Sequence, residues 1–199
     1  MSDCVFCARF EQPASLFETS HLYVMPDKYP LCPGHTLIIA KEHLACYGAA
    51  TAEIHRELDD VAAYIRRFLF DFYAKPVFIW ENGVEGQSVF HAHLHLIPLD
   101  VAEVPADLEA HRDVAPIDGW HHVAEHYRST GVYRYLELGC RRLLIAGQSP
   151  AIGIIHRTLA QATGLSFGPT GWHRTTTPDD VVEVVQQWTT WVKEADGAR

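Results

Sequence analysis

Basic residues are in short supply: 16 Lys and Arg stand against 25 Asp and Glu, a formal net charge of −9. A protein that neutralises a polynucleotide backbone needs Lys and Arg in number, so a nucleic-acid polymer is not an expected partner. No apolar run approaches the ~18 residues of a membrane span, so no membrane partner is expected either. Met1-Ser2-Asp3-Cys4 lacks the basic and apolar regions of a secretory leader, which points to a cytoplasmic protein. Cysteines are few and odd in number, five in all, and Cys32, Cys46 and Cys140 read as free thiols in a reducing compartment. There is no Gly-rich phosphate loop of the Walker type and no GxGxxG after a strand. The sequence also shows no internal repeat and no low-complexity tract.

What is present is an ordinary globular composition, 48% hydrophobic and 21% charged over 199 residues, which argues against intrinsic disorder. That length suits one domain, or one domain with a sizeable extension. Leu22 to Met25, His35 to Ala40, Val77 to Trp80 and Val89 to Ile97 read as strands. Thr51 is a good N-cap for a helix from Ala52 to Tyr73, with Leu58, Val61, Ala62, Ile65, Phe68, Leu69 and Phe72 on one stripe and Pro76 beyond its end. Composition shifts after about Asp100. Val101 to Pro116 reads as a linker, and Gly119 to Arg128 as a short helix. Val132 to Leu138 and Arg141 to Ala146 read as a hairpin turning near Gly139-Cys140. Ser149-Pro150 and Thr177-Pro178-Asp179-Asp180 each carry an N-cap followed by proline, so helices are expected to about Thr163 and Glu194. Strands followed by mixed elements indicate an α+β fold with an antiparallel sheet.

Histidine is abundant, with 13 residues, but spacing matters more than number. Phe90-His91-Ala92-His93-Leu94-His95-Leu96-Ile97 alternates strictly. On a strand this places all three imidazoles on one face and Ala92, Leu94 and Leu96 on the other. Three exposed histidines decorating a strand would be the plain explanation. A single catalytic metal held by all three is awkward, because they extend over ~13 Å of strand. The third possibility is a nucleophilic histidine at phosphorus, with its neighbours positioning it and the phosphate.

His91-Ala92-His93-Leu94-His95-Leu96-Ile97 resembles the motif of the histidine triad (HIT) family, His-φ-His-φ-His-φ-φ with φ apolar. Asn82-Gly83 and Gly86-Gln87-Ser88-Val89 resemble the loop before that triad. Pro33-Gly34-His35-Thr36-Leu37-Ile38-Ile39 and Lys41-Glu42-His43 resemble the family's earlier strand and the turn after it. Cys4-Val5-Phe6-Cys7 resembles the N-terminal knuckle of many bacterial members. The resemblance spans residues 4–98. It implies a HIT-like antiparallel sheet with helices over residues 1–105; it does not extend past Asp100, and residues 106–199 read as a C-terminal α/β extension that packs on this domain.

The resemblance further implies a nucleotide hydrolase acting at the α-phosphate of a nucleoside phosphoramidate, nucleotide conjugate or dinucleoside polyphosphate. His93 would be the nucleophile and form a covalent nucleotidyl-histidine. A main-chain carbonyl near the first histidine would fix its tautomer. His95 would contact the phosphate and protonate the leaving group. Ser88 and Gln87 would donate to phosphoryl oxygens, Asn82 would hold the phosphate or leaving-group side, and Asp27 would accept from ribose hydroxyls. Neither magnesium nor an organic cofactor is required. Cys4-x-x-Cys7 is a zinc half-site by spacing; the resemblance completes it with His43 and His91 as a structural site. A homodimer joining two sheets is also implied.

Nucleotidyl transfer or phosphorolysis through the same intermediate is an alternative. So are a non-catalytic nucleotide-binding module and a zinc hydrolase using the triad as ligands. Pro98-Leu99-Asp100-Val101-Ala102-Glu103 follows the triad where the dinucleoside tetraphosphate phosphorylase branch has Arg-Trp and an Asp-Asn-rich stretch, which disfavours phosphorolysis. In the C-terminal half, Trp172, His173 and Arg174 are candidates for shaping a leaving-group pocket, against the plainer reading of a Trp packed between helices. His121, His122 and His126 read as solvated helix residues.

Overall fold

The computed structural model describes residues 4–9, 13–84, 86–99, 114–146, 167–168, 171–172 and 178–197. Eight strands form one antiparallel sheet: β1 (Phe17–Glu18), β2 (Leu22–Pro26), β3 (Thr36–Ala40), β4 (Val77–Glu81), β5 (His93–Pro98), β6 (Val114–Ile117), β7 (Tyr133–Leu138) and β8 (Arg141–Ala146). Their order across the sheet is β1-β2-β3-β5-β4-β7-β8-β6. The fold is therefore α+β with an antiparallel sheet. A separate two-stranded ladder pairs β9 (Phe167–Gly168) with β10 (Gly171–Trp172).

Among the described residues the longer helices are α2 (Ala52–Tyr73), α3 (Trp120–Thr130) and α4 (Pro178–Gly197), and a one-turn helix, α1 (Val5–Ala8), lies near the N-terminus. The Thr51 side chain accepts from the Ile54 amide and caps α2, which ends where Ala74 turns left-handed at φ 49°. Its stripe of Leu58, Val61, Ala62, Ile65, Phe68 and Leu69 is buried on one face of the sheet, against Leu22, Val24, Ile38, Leu94, Leu96 and Ile79. Phe72, which periodicity places on the same stripe, is instead exposed near the helix end. α4 covers α2 through Trp188 and Trp191, whose rings lie 5.1 and 5.7 Å from that of Phe68. The Trp191 indole N–H reaches Asp71 at 2.8 Å and the Tyr73 hydroxyl reaches Gln187 at 2.7 Å.

Alternation divides the strands between two faces. Leu22 and Val24 join the α2 side, whereas Tyr23 and Met25 join Leu37, Ile39 and Phe6 of α1 on the other. Further along that second face lie Trp80, Phe78, Ile97, Leu136, Leu138, Leu143 and Ile145.

Two expectations are corrected. The strand carrying the histidines begins at His93, not Val89; residues 88–91 form bends that lead into it. The segment read as a linker from Val101 to Pro116 ends in the edge strand β6, where Pro116 is tolerated because one side of the strand needs no ladder bonds. Residues 100–113, and the helix expected from Ser149 to Thr163, lie outside the described residues.

The sheet contains a repeat that the sequence conceals. The chain order β3-α2-β4-β5 recurs as β6-α3-β7-β8, and the spatial order β3-β5-β4 is mirrored as β7-β8-β6 across the β4–β7 seam. That seam is antiparallel, with Trp80 opposite Leu136 at its centre, so an approximate two-fold axis relates the units. Trp80 pairs with His95, and its counterpart Leu136 pairs with Leu143. By the same register Arg141 occupies the place of His93. The second unit thus carries the strand framework and lacks the imidazoles.

Candidate functional site

The site lies where β5 begins, on the face away from α2. The His93 ring is 4% exposed. Its Nδ1 lies 2.7 Å from the His91 carbonyl oxygen. A carbonyl only accepts, so Nδ1 carries the hydrogen and Nε2 keeps its lone pair. Burial pushes the His93 pKa down, with the His91 carbonyl only partly opposing it. The ring is therefore held as neutral imidazole in one tautomer, packed edge-on against Phe6 and His95 at centroid distances of 5.3 and 4.8 Å.

His95 follows on the same face, stacked on Trp80 at 4.1 Å with the rings 2° from parallel. Its Nδ1 lies 3.0 Å from His35 Nε2. The Leu31 amide donates to His35 Nδ1 at 3.1 Å. His35 is buried and burial lowers its pKa. A neutral His35 that accepts at Nδ1 must carry its hydrogen on Nε2 and donate it to His95 Nδ1. His95 in turn carries its hydrogen on Nε2. Hydrogen bonds thus fix complementary tautomers: His93 Nε2 bears a lone pair and His95 Nε2 bears a proton.

His35 received no role from the sequence. Sixty residues separate it from His95, and the only signal was a histidine opening an apolar strand after Pro33-Gly34. Asp27 follows β2 beside this pair. One carboxylate oxygen accepts from the Tyr29 amide at 2.7 Å, closing a turn. The other lies 3.5 Å from His35 Nε2 and 3.9 Å from His95 Nδ1.

The loop from β4 to β5 forms the next wall. Asn82 is buried at the end of β4. Gly83 and Gly86 take φ of +53° and +78°, and Val84 lies between them at +85°, an unusual conformation for a β-branched residue. Gln87 is buried and its Nε2 donates to the Ala45 carbonyl at 3.0 Å, which ties the loop to the segment after β3. Ser88 is exposed.

His91 faces a different cluster. Its Nε2 lies 2.6 Å from the Ala40 carbonyl oxygen, so Nδ1 is left as the electron-pair donor. Cys4 Sγ is 3.4 Å, Cys7 Sγ 3.5 Å and His43 Nδ1 3.2 Å from that atom, and Cys7 Sγ is 3.2 Å from His43 Nδ1. Cys4 and Cys7 are one turn apart on α1 and present both sulfurs to one side. All four donor atoms lie within 4.8 Å of one another. Ligands of a tetrahedral zinc stand about 3.3–3.8 Å apart, given Zn–N near 2.0 Å and Zn–S near 2.3 Å. The donor set and its spacing fit that ion, and the Ala40 carbonyl supplies the outer hydrogen bond that orients a ligating histidine.

The three triad imidazoles do not converge on one point: His91 turns to the cysteines, His93 to a carbonyl and His95 to His35. His173 and Arg174 lie outside the described residues, and Trp172 is described by its backbone alone. His121 is exposed and His122 half-buried on α3, both beside Asp118.

Residues 9–101 match the HIT domain model. The chain is 32% identical over 103 residues to Protein hit of Bacillus subtilis, covering 48% of this chain and 70% of that one. It is 31% identical over 103 residues to a protein of Arabidopsis thaliana named adenylylsulfatase HINT3, covering 49% of this chain and 52% of that one. Among solved structures, a HIT family protein from Bacillus anthracis aligns with a TM-score of 0.44 and 31% identity, covering 49% of this chain and 73% of that one. The chain belongs to the HIT family.

Proposed function

We propose that this chain is a nucleotide hydrolase that breaks a bond at the α-phosphate through a covalent intermediate on His93. The observation that carries the proposal is the pair of complementary tautomers, a lone pair on His93 Nε2 next to a proton on His95 Nε2. Membership of the HIT family and the likeness to a protein named adenylylsulfatase support the same reading.

In the first step His93 Nε2 attacks the α-phosphorus and a P–N bond forms. The bond from phosphorus to the leaving group breaks and the leaving group takes its electron pair, with His95 Nε2–H donating a hydrogen bond to it; a basic leaving group draws its proton from water. As His93 gains positive charge, its Nδ1–H bond to the His91 carbonyl strengthens. In the second step a water attacks phosphorus and gives up a proton to solvent. The P–N bond breaks, its electron pair returns to Nε2, and a nucleoside monophosphate leaves. Asp27 suits the ribose hydroxyls, while Ser88, Gln87 and Asn82 supply hydrogen bonds to the phosphoryl oxygens.

Cys4, Cys7, His43 and His91 would hold a structural zinc, cross-linking α1, the segment after β3 and the approach to β5. The homodimer implied by the family resemblance would have to form away from β4, because β7 already pairs with that strand.

The test is turnover of adenosine 5′-phosphoramidate and diadenosine tetraphosphate by the wild type and His93→Ala, with intact-mass detection of a nucleotidyl adduct after rapid quenching. Wild type should turn over and form the adduct, whereas a folded His93→Ala should do neither. Near-normal turnover by His93→Ala would overturn the mechanism. Products analysed with and without inorganic phosphate separate hydrolysis from phosphorolysis.

A further inference from the structure

The sequence extension supplies a charged residue to the catalytic row. Trp80 stands opposite His95 on one side and Leu136 on the other. Two residues further along, the same registers place Asn82 next to His93 and Arg134 next to Asn82. Arg134 therefore lies two strands, about 10 Å, from His93 in one cross-strand row. Alternation sets it on the face of Leu136 and Leu138, which is the face of Trp80 and His95.

Arg134 is only 3% exposed. One guanidinium nitrogen, Nη2, approaches within 3.9 Å of the position a Cβ would take on Gly86, in the loop that carries Asn82, Gln87 and Ser88. A guanidinium has five N–H donors in a planar fork, so it can hold a place in the protein and still offer a pair of donors to an oxyanion.

We propose that Arg134, donated by the triad-less second unit, binds the anionic oxygens of the leaving group and selects nucleoside 5′-phosphate anhydrides over phosphoramidates. This rests on the hydrolase reading above. A sulfate or phosphate departing from the α-phosphorus gains charge as the P–O bond breaks, and a positive fork about 10 Å from His93 Cα along the row is suitably placed to stabilise it. An amine leaving group offers no such oxygen and depends on the hydrogen bond from His95 Nε2–H instead.

The experiment compares wild type, Arg134→Gln and Arg134→Lys on adenosine 5′-phosphosulfate, diadenosine tetraphosphate and adenosine 5′-phosphoramidate, with melting temperatures recorded for each protein. Loss of one charged hydrogen-bonding group should lower kcat/KM for a recognised anhydride about 10- to 100-fold in Arg134→Gln, and phosphoramidate turnover less than about 3-fold. Arg134→Lys, which keeps the charge and loses the fork, should fall between. A loss confined to the phosphosulfate identifies a sulfate leaving group, and one confined to the tetraphosphate identifies a phosphate. Equal losses on all three substrates, or none on either anhydride, would overturn the assignment. Calorimetric binding of AMP and ADP separates this failure from failure of the hydrolase reading. Wild type should prefer ADP and Arg134→Gln should lose the preference, even if no substrate turns over. Absence of that preference in wild type would count against Arg134.

Discussion

The main-chain carbonyl of His91 accepts the Nδ1–H of His93 at 2.7 Å, while the ring of the same His91 turns its Nδ1 to Cys4, Cys7 and His43. One residue therefore serves two sites, its side chain in the cysteine cluster and its backbone behind the proposed nucleophile. The strand begins only at His93, so the His91 peptide is not fixed by ladder bonds of β5. Its position depends on neighbouring contacts, including Ala92 N to the Leu44 carbonyl and His91 Nε2 to the Ala40 carbonyl.

Removing a side chain from that cluster should therefore reach the row that carries His93. Cys7→Ser is expected to lose zinc by more than the roughly 10- to 100-fold that outer-shell substitutions cost. It should melt at a lower temperature and show a reduced kcat, although Cys7 does not touch His93. Metal content by mass spectrometry and thermal melting with and without chelator check this. Wild-type protein purified without chelator that carries only trace zinc, with unchanged stability in chelator, would refute the metal assignment.

His35 should act as a positioning residue for His95. His35→Ala removes both the acceptor for the Leu31 amide and the donor to His95 Nδ1. His95 then loses the bond that keeps its proton on Nε2. Turnover of an amine-leaving substrate should drop about 10- to 100-fold, as expected for the loss of one oriented hydrogen bond to the leaving group. His35→Gln, whose amide nitrogen can still donate toward His95, should recover part of the loss. Substrates with sulfate as leaving group should be much less affected, because sulfate departs without a proton. An equal loss on both substrate types would show that His35 only supports the fold.

Strand and helix identities were largely legible because each apolar pattern had a single consistent partner. The α2 stripe, the alternation of Leu22 to Met25 and the hairpin turning at Gly139-Cys140 all reappear. The start of β5 was not legible: period-two alternation continues through His91, and only the competing contacts of the Ala40 and Leu44 carbonyls reveal that the strand has not begun. The topological repeat was hidden because corresponding positions share burial but not residue type, with Leu143 standing in register for His95. His35, Glu81 and Arg134 escaped because their partners lie far away in sequence. Glu81 and Arg134 did leave a trace, a charge within or beside an apolar strand, and both prove to be buried at the β4–β7 seam.

Gly83 joins the loop between β4 and β5 to the second unit. It has φ +53°, and a Cβ there would stand 2.3 Å from the Tyr133 carbonyl oxygen and 2.8 Å from its ring. Backbone cannot yield as a flexible side chain can. Gly139 has a similar φ of +60° with nothing within 4 Å. Gly139→Ala should therefore cost about 1–2 kcal/mol for the left-handed conformation alone. Gly83→Ala should cost clearly more, adding about 1–3 kcal/mol of overpacking, and should impair turnover as the loop shifts. Chemical denaturation of the two variants provides the comparison, and equal costs would mean that the Tyr133 contact is not tight.

The seam should also give the protein a pH-dependent stability. Glu81 is fully buried on β4; one oxygen accepts from the Tyr47 amide at 2.7 Å and the other from the Tyr133 hydroxyl. Burial raises its pKa to about 7 despite both donors, from an ordinary value of 4.5. The folded state thus binds a proton more tightly than the unfolded chain, so the stabilisation is fully present below about pH 4.5. It is lost as pH rises toward 7 and stays lost above it. A shift of this size corresponds to something on the order of 3 kcal/mol. Buried His35 and His93 titrate in the opposite sense, since their lowered pKa values favour the folded state as pH rises. The difference between wild type and Glu81→Gln isolates the carboxyl. The amide keeps an acceptor for the Tyr47 amide and offers a donor to the Tyr133 oxygen, so the variant should fold with its seam intact. Denaturation from pH 4.5 to 8 should show wild type losing stability relative to Glu81→Gln as pH rises, and parallel curves would show that Glu81 is ionised throughout.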